Sequence, residues 1–551
     1  MTKKPLRYLT AFFLIAASAI FIFRLISFKN VAEDSAASLY KNLKSAADQL
    51  FNFNIDGARQ SFQESSAEIR GLQSLADDLG LLNFSQVKEA FSVLIGMTEQ
   101  ASAASTQLGE IKKGAFSWII GGGGEQLIKK LDDLNSSLNS LANLGEQLSK
   151  TSSVSLPDDY FNFNADISNT SAFLGALTDW LRQPREQHLL ILFQNPSEIR
   201  PAGGFLGSFA DLTLKRGNLI NIDVQDIYNP DGQLNEKIIP PKPLQNLTIG
   251  WGARDANWFF DFPTSARKVI EFLESSKIYQ EKSQTFSGAI AINIEVVRDI
   301  LRITGSIKLA DYGLIINPDN FLPELQKEVE AGDDKIAGQP KRILGVLTPI
   351  LLEKIGLFSE SEKQQFARYL KDRVEKKDAQ IYFKNLAIET YLQVLGLGGE
   401  MTNLPNDFWG SYLAFVNANV GGGKSDAYIF QNIKLTVRLA KDGSTDSSLT
   451  VARRHDGYLE KEWWYKKDNK NRFLALLEPA ASVLDISGND HLGIKPLVNY
   501  SSYKTDPDLA DLERAQKFSE ELGVDEGVFN GRKLIGGWWI LESGKSEEFY
   551  L

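Results

Sequence analysis

Hydrophobic periodicity changes twice along the chain, and that succession limits the folds open to it. Residues 30–185 are rich in Ala, Ser, Leu, Gln and Glu and poor in proline, as helices require. Leu127, Leu131, Leu134, Leu138, Leu141, Leu144 and Leu148 recur at spacings of three and four, which places them on one helical stripe. Shorter stripes run through Leu39, Leu43, Ala47 and Leu50, and through Ile69, Leu72, Leu75 and Leu79. Four glycines at 121–124 are followed by no Lys-Ser or Lys-Thr, so they read as a flexible turn between helices and not as a phosphate loop. The segment predicts an antiparallel helical bundle or stalk.

From residue 186 to 407 strand-like and helical stretches alternate, which predicts an α/β sandwich with a mixed sheet. The apolar run 189–193 is short enough to be a buried strand, and further strands are expected at 209–214, 219–224, 247–250, 286–294 and 306–309. Asp261 or Thr264 can cap a helix with Pro263 in its first turn and Ala266, Val269, Ile270 and Leu273 on its apolar face. Helices follow at 295–301, 321–329, 342–355 and 360–374, the last opened by a capping box of Ser359 and Glu362.

After residue 408 the stretches 412–416, 427–439, 447–454 and 473–477 are rich in strand formers and separated by turns such as 441–443. They predict an appended antiparallel β-sandwich. Strand-like residues 538–541 and 548–551 close the chain; an unpaired edge there would be a liability, so a truncated form of a longer polypeptide is expected.

The amino terminus sets the compartment. Lys3, Lys4 and Arg7 precede an apolar run from 8 to 23 that continues past Arg24 through Leu25, Ile26 and Phe28. About 20 such residues span a bilayer, and Arg24 can snorkel to the interface. Ala17-Ser18-Ala19 resembles a cleavage site, but apolar residues continue beyond it, so residues 1–29 read as an uncleaved, single-pass anchor. The short basic side predicts a cytoplasmic amino terminus, with the bulk of the chain extracytoplasmic at the cell membrane. Four segments result: anchor 1–29, bundle 30–185, α/β region 186–407 and β-rich region 408–551.

Composition removes several chemistries. Without cysteine there is no disulfide, thiolate metal site or cysteine nucleophile, and three scattered histidines, His188, His455 and His491, disfavour zinc. A formal net charge of -10 argues against nucleic acid as a partner. What remains is a charged turn after the 189–193 run, carrying Glu198, Arg200, Pro201, Gly203, Gly204 and Gly207, and an Arg254-Asp255 dipeptide among Trp251, Trp258, Phe259 and Phe260. Two readings stay open. The charges pair for stability, Glu198 with Arg200 and Arg254 with Asp255 or Asp261, or they converge on a ligand at the end of a buried strand.

Four segments resemble one pattern: QNPSEIRPAGGFLGS from Gln194, GARDANWFFDFPTSA from Gly252, GAIAINIEVVRDILRITGSI from Gly288 and NANVGGGKSDAYI from Asn417. With the anchor they look like the bacterial membrane family known as domain of unknown function 4012. In the last segment Asn419, Lys424 and Asp426 are expected to shape the turn after 421–423. The order of features is also distantly similar to that of the LytR-CpsA-Psr cell-wall ligases, which transfer a glycopolymer from a polyprenyl pyrophosphate carrier. That resemblance implies that Arg200 and Arg254 hold pyrophosphate, that Asp255 and Glu198 hold Mg2+, and that Arg200, Arg254 and Asp255 are the catalytic set. Backbone N–H groups at Gly203 and Gly204 would approach the anion. This chain has Glu198 where those ligases use Asp, and Gly203-Gly204-Phe205 where they keep a further Arg and Asp. The expected function is thus an outward-facing envelope protein that binds or transfers a lipid-linked glycopolymer at the cell wall. The alternative is a non-enzymatic surface protein acting in structure or adhesion.

Overall fold

The computed structural model describes Ser45, Gln49 and residues 54–78, 85–151, 158–405 and 407–551. The expected anchor, the stripe from Leu39 and the residue Leu79 lie outside them. No described helix is long and apolar enough to cross a membrane.

Four helices come first, α1 (Ile55–Asp78), α2 (Ser85–Ile120), α3 (Gly124–Thr151) and α4 (Asp158–Arg182). The leucine stripe forms on α3, with Leu127, Leu131, Leu134 and Leu141 buried. The glycine turn before it is docked at its last residue. Gly124 N–H donates to Asn218 Oδ1 at 2.7 Å, and a Cβ on Gly124 would come within 2.3 Å of the Arg216 carbonyl oxygen.

A five-stranded sheet follows, ordered β3 (Asn218–Asp226), β2 (Gly203–Lys215), β1 (Gln187–Arg200), β4 (Phe286–Asn293), β7 (Ala379–Phe383). β1 runs parallel to β4, and the other pairs are antiparallel, so the sheet is mixed as expected. Side chains alternate between its faces. Leu189, Ile290, Ile381 and Phe383 meet α3 and α4, while Leu190, Leu192, Ala289 and Ala291 meet helix α5 (Phe262–Ser275). Asp261 caps α5 by accepting the Thr264 N–H, with Pro at the helix start.

After β4 the chain builds a helical layer: α6 (Ile294–Thr304), the short hairpin of β5 (Ile307–Leu309) and β6 (Leu314–Ile316), then α7 (Phe321–Ala331), α8 (Arg342–Gly356) and α9 (Glu360–Glu375). Leu301, Ile307, Ile316, Phe321, Ile343 and Leu347 share its core. The Ser359–Glu362 capping box is present at α9.

Two expectations change here. The strand at 189–193 does not stop at Gln194 but continues to Arg200. Asn195 pairs with Phe205 and Ile199 with Gly204, so residues 196–198 bulge out of the ladder. Residues 247–250 form no strand: Leu247 and Thr248 N–H groups both bond the Leu244 carbonyl, prolonging the 3-10 turn Lys242–Leu244.

The remaining chain forms two antiparallel sheets, ordered β12 (Gln516–Ser519), β13 (Val524–Phe529), β14 (Arg532–Leu541), β11 (Asn469–Leu477), β8 (Leu413–Asn419) and β15 (Ser546–Tyr550), β10 (Thr445–His455), β9 (Ile429–Leu439). Leu449, Val451 and Phe549 of the smaller sheet meet Phe473, Ile535 and Trp539 of the larger, making the expected sandwich. The strand-like residues near the carboxyl end are paired: β14 lies between β13 and β11, and β15 pairs with β10 and bridges Ser487. Ala418, Leu474, Leu476 and Trp538 join the core of the α/β region, so the two regions pack as one body at this seam.

Candidate functional site

The bulge in β1 and the seam with the sandwich together place Arg200. It is 3% exposed and lies where β1 turns into β2. Its Nη1 donates to the Asn419 carbonyl at 2.7 Å and its Nη2 to Glu198 Oε1 at 3.0 Å, with Asp255 Oδ1 at 3.4 Å. The guanidinium also lies 5.1 Å from the centre of the Phe205 ring. Burial opposes its charge, but Glu198 and Asp255 outweigh burial and hold the group above the ordinary arginine value.

Arg254 and Asp255 arrive on the 3-10 turn Ala253–Asp255. Arg254 Nε donates to Asp255 Oδ2 at 3.1 Å and Nη2 to Thr248 Oγ1 at 2.9 Å, while the guanidinium stacks 5.0 Å over Tyr228. The turn is braced from below by Asp231, whose carboxylate accepts the Ala253 and Arg254 N–H groups at 2.7 and 3.2 Å. Burial raises the Asp231 pKa to about 6 against those two hydrogen bonds. Trp251, Trp258 and Phe259 are core residues, and the Trp251 indole N–H bonds the Asp255 carbonyl.

Glu198, Arg200, Asp255 and Arg254 are thus joined in that order by a chain of hydrogen bonds, and all four line one cavity of about 700 Å3. The lining also has apolar side chains, Ile292 of β4, Val297 of α6, Leu325 and Val329 of α7, and Leu344 and Leu347 of α8. The spacings of three and four within α7 and α8 put these side chains on one face of each helix. Asp226, Glu330, Lys335, Lys341 and Lys424 line it as well, so the cavity combines charged and apolar walls.

Gly203 and Gly204, expected to offer backbone N–H groups to an anion, are not among the residues that line the cavity. Their lack of a side chain serves packing. A Cβ on Gly204 would lie 2.6 Å from the Asn195 backbone, and Gly203 adopts φ 132° against the Gln194 side chain. Gly207, two residues into the next pleat, does line it.

The segment from Asn417 divides. Asn419 and Asp426 shape the turn as expected: Asn419 Oδ1 accepts the Gly422 N–H and Asn419 Nδ2 donates to Asp426 Oδ2. Asp426 Oδ2 also accepts the Ile199 N–H at 3.0 Å, which holds the β1 bulge against the sandwich. Lys424 instead lines the cavity and pairs with Glu330 of α7 at 3.0 Å. Sequence reading missed Glu330 of α7 and, from the connection between α7 and α8, Lys335 and Lys341. No short motif marks them. Of the histidines, His188 hydrogen-bonds Asp211 at 2.9 Å, His455 is buried against the Lys467 carbonyl, and His491 packs on Phe518; none lines the cavity.

As arranged, the two candidate magnesium ligands do not fit a dication by themselves. Both Asp255 oxygens face guanidinium N–H donors and Glu198 gives one oxygen to Arg200, so an added ion would meet two fixed positive charges. Among the described residues no three acidic or histidine side chains group to hold a metal.

Residues 185–329 match the model of a family described as a protein of unknown function, DUF4012. The matched stretch carries Glu198, Arg200, Arg254, Asp255 and nearly all of α7, and three of the four segments quoted from the sequence. Comparison with curated proteins and with solved structures gives no match.

Proposed function

We propose that this chain is a membrane-anchored, outward-facing protein of the bacterial cell envelope whose α/β region binds an anionic, lipid-linked ligand of the polyprenyl-pyrophosphate glycopolymer class. The observation that carries the reading is the cavity itself, whose lining joins charged side chains, lysines and arginines among them, to a run of aliphatic ones from α6, α7 and α8. Such a lining suits a phosphorylated head joined to an apolar tail and suits neither half alone. A volume of about 700 Å3 is that of a small-ligand pocket, so the head and the first part of a chain would be enclosed and the rest of a longer lipid would lie outside. The basic-then-apolar sequence of residues 1–29 supports membrane placement. Binding is the part of the ligase resemblance that this lining supports.

The test is purification of the full chain from membranes followed by lipid mass spectrometry, beside a Leu344→Trp variant that fills the cavity. Isoprenoid phosphates enriched on the parent and depleted on the variant are the expected result. Equal recovery from the two proteins would overturn the proposal.

A second reading, a non-enzymatic surface protein acting by contact, is favoured by one observation. Ile433, Leu435, Val437 and Leu439 of edge strand β9 are all exposed and alternate on one face.

A further inference from the structure

The cations of the cavity are of two kinds. Arg200 and Arg254 already face carboxylates, and Lys424 and Lys335 share Glu330 at 3.0 and 3.5 Å. Lys341 differs: among the described residues no carboxylate comes within ion-pair distance of its ammonium, and its acidic neighbours Asp226 and Glu330 act only from further away. The ammonium stands over β2, 3.2 Å from where a Cβ on Gly207 would be. The missing side chain at Gly207 is what leaves room for it. Burial pushes the Lys341 pKa below the ordinary lysine value, with Lys424 and Lys335 acting in the same sense against Asp226 and Glu330.

A half-buried ammonium without a counter-ion is costly, and hydrophobic walls nearby raise that cost. A bound anion would remove it. Lys341 is also the residue before α8 (Arg342–Gly356), where no side chain caps the helix, so the positive end of the helix dipole reinforces the same spot. The arginines, by contrast, are neutralised within the protein and would have to release Asp255 or Glu198 before gripping a ligand.

We propose that Lys341, flanked by Lys424 and Lys335, is the residue that takes the phosphoryl group of the ligand, while Arg200 and Arg254 hold the floor of the cavity in shape. This assignment rests on the reading of the cavity as a site for a phosphorylated amphiphile. The head-group chemistry is shared by a lipid phosphate and by free pyrophosphate, and the probes separate the two.

Binding of geranylgeranyl diphosphate, inorganic pyrophosphate and geranylgeraniol to the full chain in detergent is measured by calorimetry for the parent, Lys341→Gln and Lys341→Arg. Thermal melts confirm that each variant is folded. The expected result is tight binding of the diphosphate lipid by the parent and a loss of about ten-fold or more in Lys341→Gln, the size of one charge-assisted hydrogen bond. Geranylgeraniol binding should not change, and Lys341→Arg should restore most of the affinity. Undiminished diphosphate affinity in Lys341→Gln would overturn the lysine assignment and leave the cavity reading standing. Pyrophosphate bound as tightly as the lipid, and lost in Lys341→Gln, would support the lysine assignment while removing the lipid. Binding of no probe by the parent would overturn both.

Discussion

Arg200 Nη1 donates a 2.7 Å hydrogen bond to the carbonyl of Asn419, a residue 219 positions further along the chain. The bond crosses from the mixed sheet to the sandwich, and the Ile199 N–H to Asp426 contact runs beside it. A side chain this buried, with both terminal nitrogens bonded across the seam and to its own carboxylates, works as a joint between the two regions before it works on any ligand.

Arg200→Met should therefore destabilise the protein strongly. Removing the guanidinium leaves Glu198 and the Asp255 Oδ1 edge facing a buried gap, and losing one partner of a buried ion pair costs about 3–5 kcal/mol. Urea denaturation followed by tryptophan fluorescence measures it. A loss below about 1 kcal/mol would show that Arg200 is not a structural joint.

The glycines of the β1–β2 hairpin separate the same two roles. Gly204→Ala drives a methyl group to 2.6 Å from the Asn195 backbone, which cannot move without breaking the bulge, so a loss of about 1–3 kcal/mol is expected. Gly207→Ala meets the flexible end of Lys341 at 3.2 Å and the Phe205 ring at an ordinary contact distance of 3.8 Å. It should leave thermal stability nearly unchanged. Differential scanning calorimetry on the two variants checks the ordering, and equal losses would contradict it.

How far the sequence revealed this arrangement follows from how local each feature is. Asp261 with Pro263, and Ser359 with Glu362, are legible because a cap and its helix are adjacent in the chain. Glu198, Arg200, Arg254 and Asp255 stood out as charges beside glycines and aromatics, although their meeting required the whole sheet. The apolar run stops at Phe193, which makes β1 look finished at Gln194, whereas the ladder resumes after a bulge at 196–198 that holds Pro196. Lys341 was invisible for the opposite reason. Its meaning depends on Gly207, a residue with no side chain to signal anything, on a strand far back in the sequence.

Asp231 gives the fold a pH dependence of unusual sign for an aspartate. Burial raises its folded pKa from the ordinary aspartate range to about 6, so the folded state binds its proton more tightly than the unfolded chain does. The stabilisation from this group is full below the unfolded pKa and is lost as pH rises through the folded one. The loss is on the order of 2–3 kcal/mol between about pH 4 and pH 6. Comparing the denaturation midpoints of the parent and Asp231→Asn across that window isolates it. The difference between them should shift steadily with pH and level off above about pH 6; a flat difference would count against the raised pKa.

Strand β9 carries the core-facing side of its sheet beyond the part that the sandwich covers. Leu435 lies opposite buried Leu449 and Ile433 opposite buried Val451, yet Ile433, Leu435, Val437 and Leu439 remain exposed. An uncovered apolar edge invites pairing with other chains. Leu435→Lys with Val437→Lys should leave the unfolding midpoint almost unchanged and lower self-association in sedimentation velocity. A large fall in stability would mean that these side chains pack within the fold.

Magnesium tests whether Asp255 is free to act as a ligand. With its two oxygens facing Arg200 and Arg254, it can bind a dication only by giving up guanidinium bonds, and Glu198 offers one uncommitted oxygen. An ion held at a hundred times its dissociation constant would stabilise the folded chain by about 2.7 kcal/mol. Millimolar Mg2+ is expected to move the thermal midpoint no more than the same ionic strength of NaCl, and EDTA to leave diphosphate binding intact. A saturable rise with Mg2+ that disappears in Asp255→Asn would show instead that the carboxylate exchanges its arginine partners for the metal, and the floor of the cavity would then be a movable part of the site.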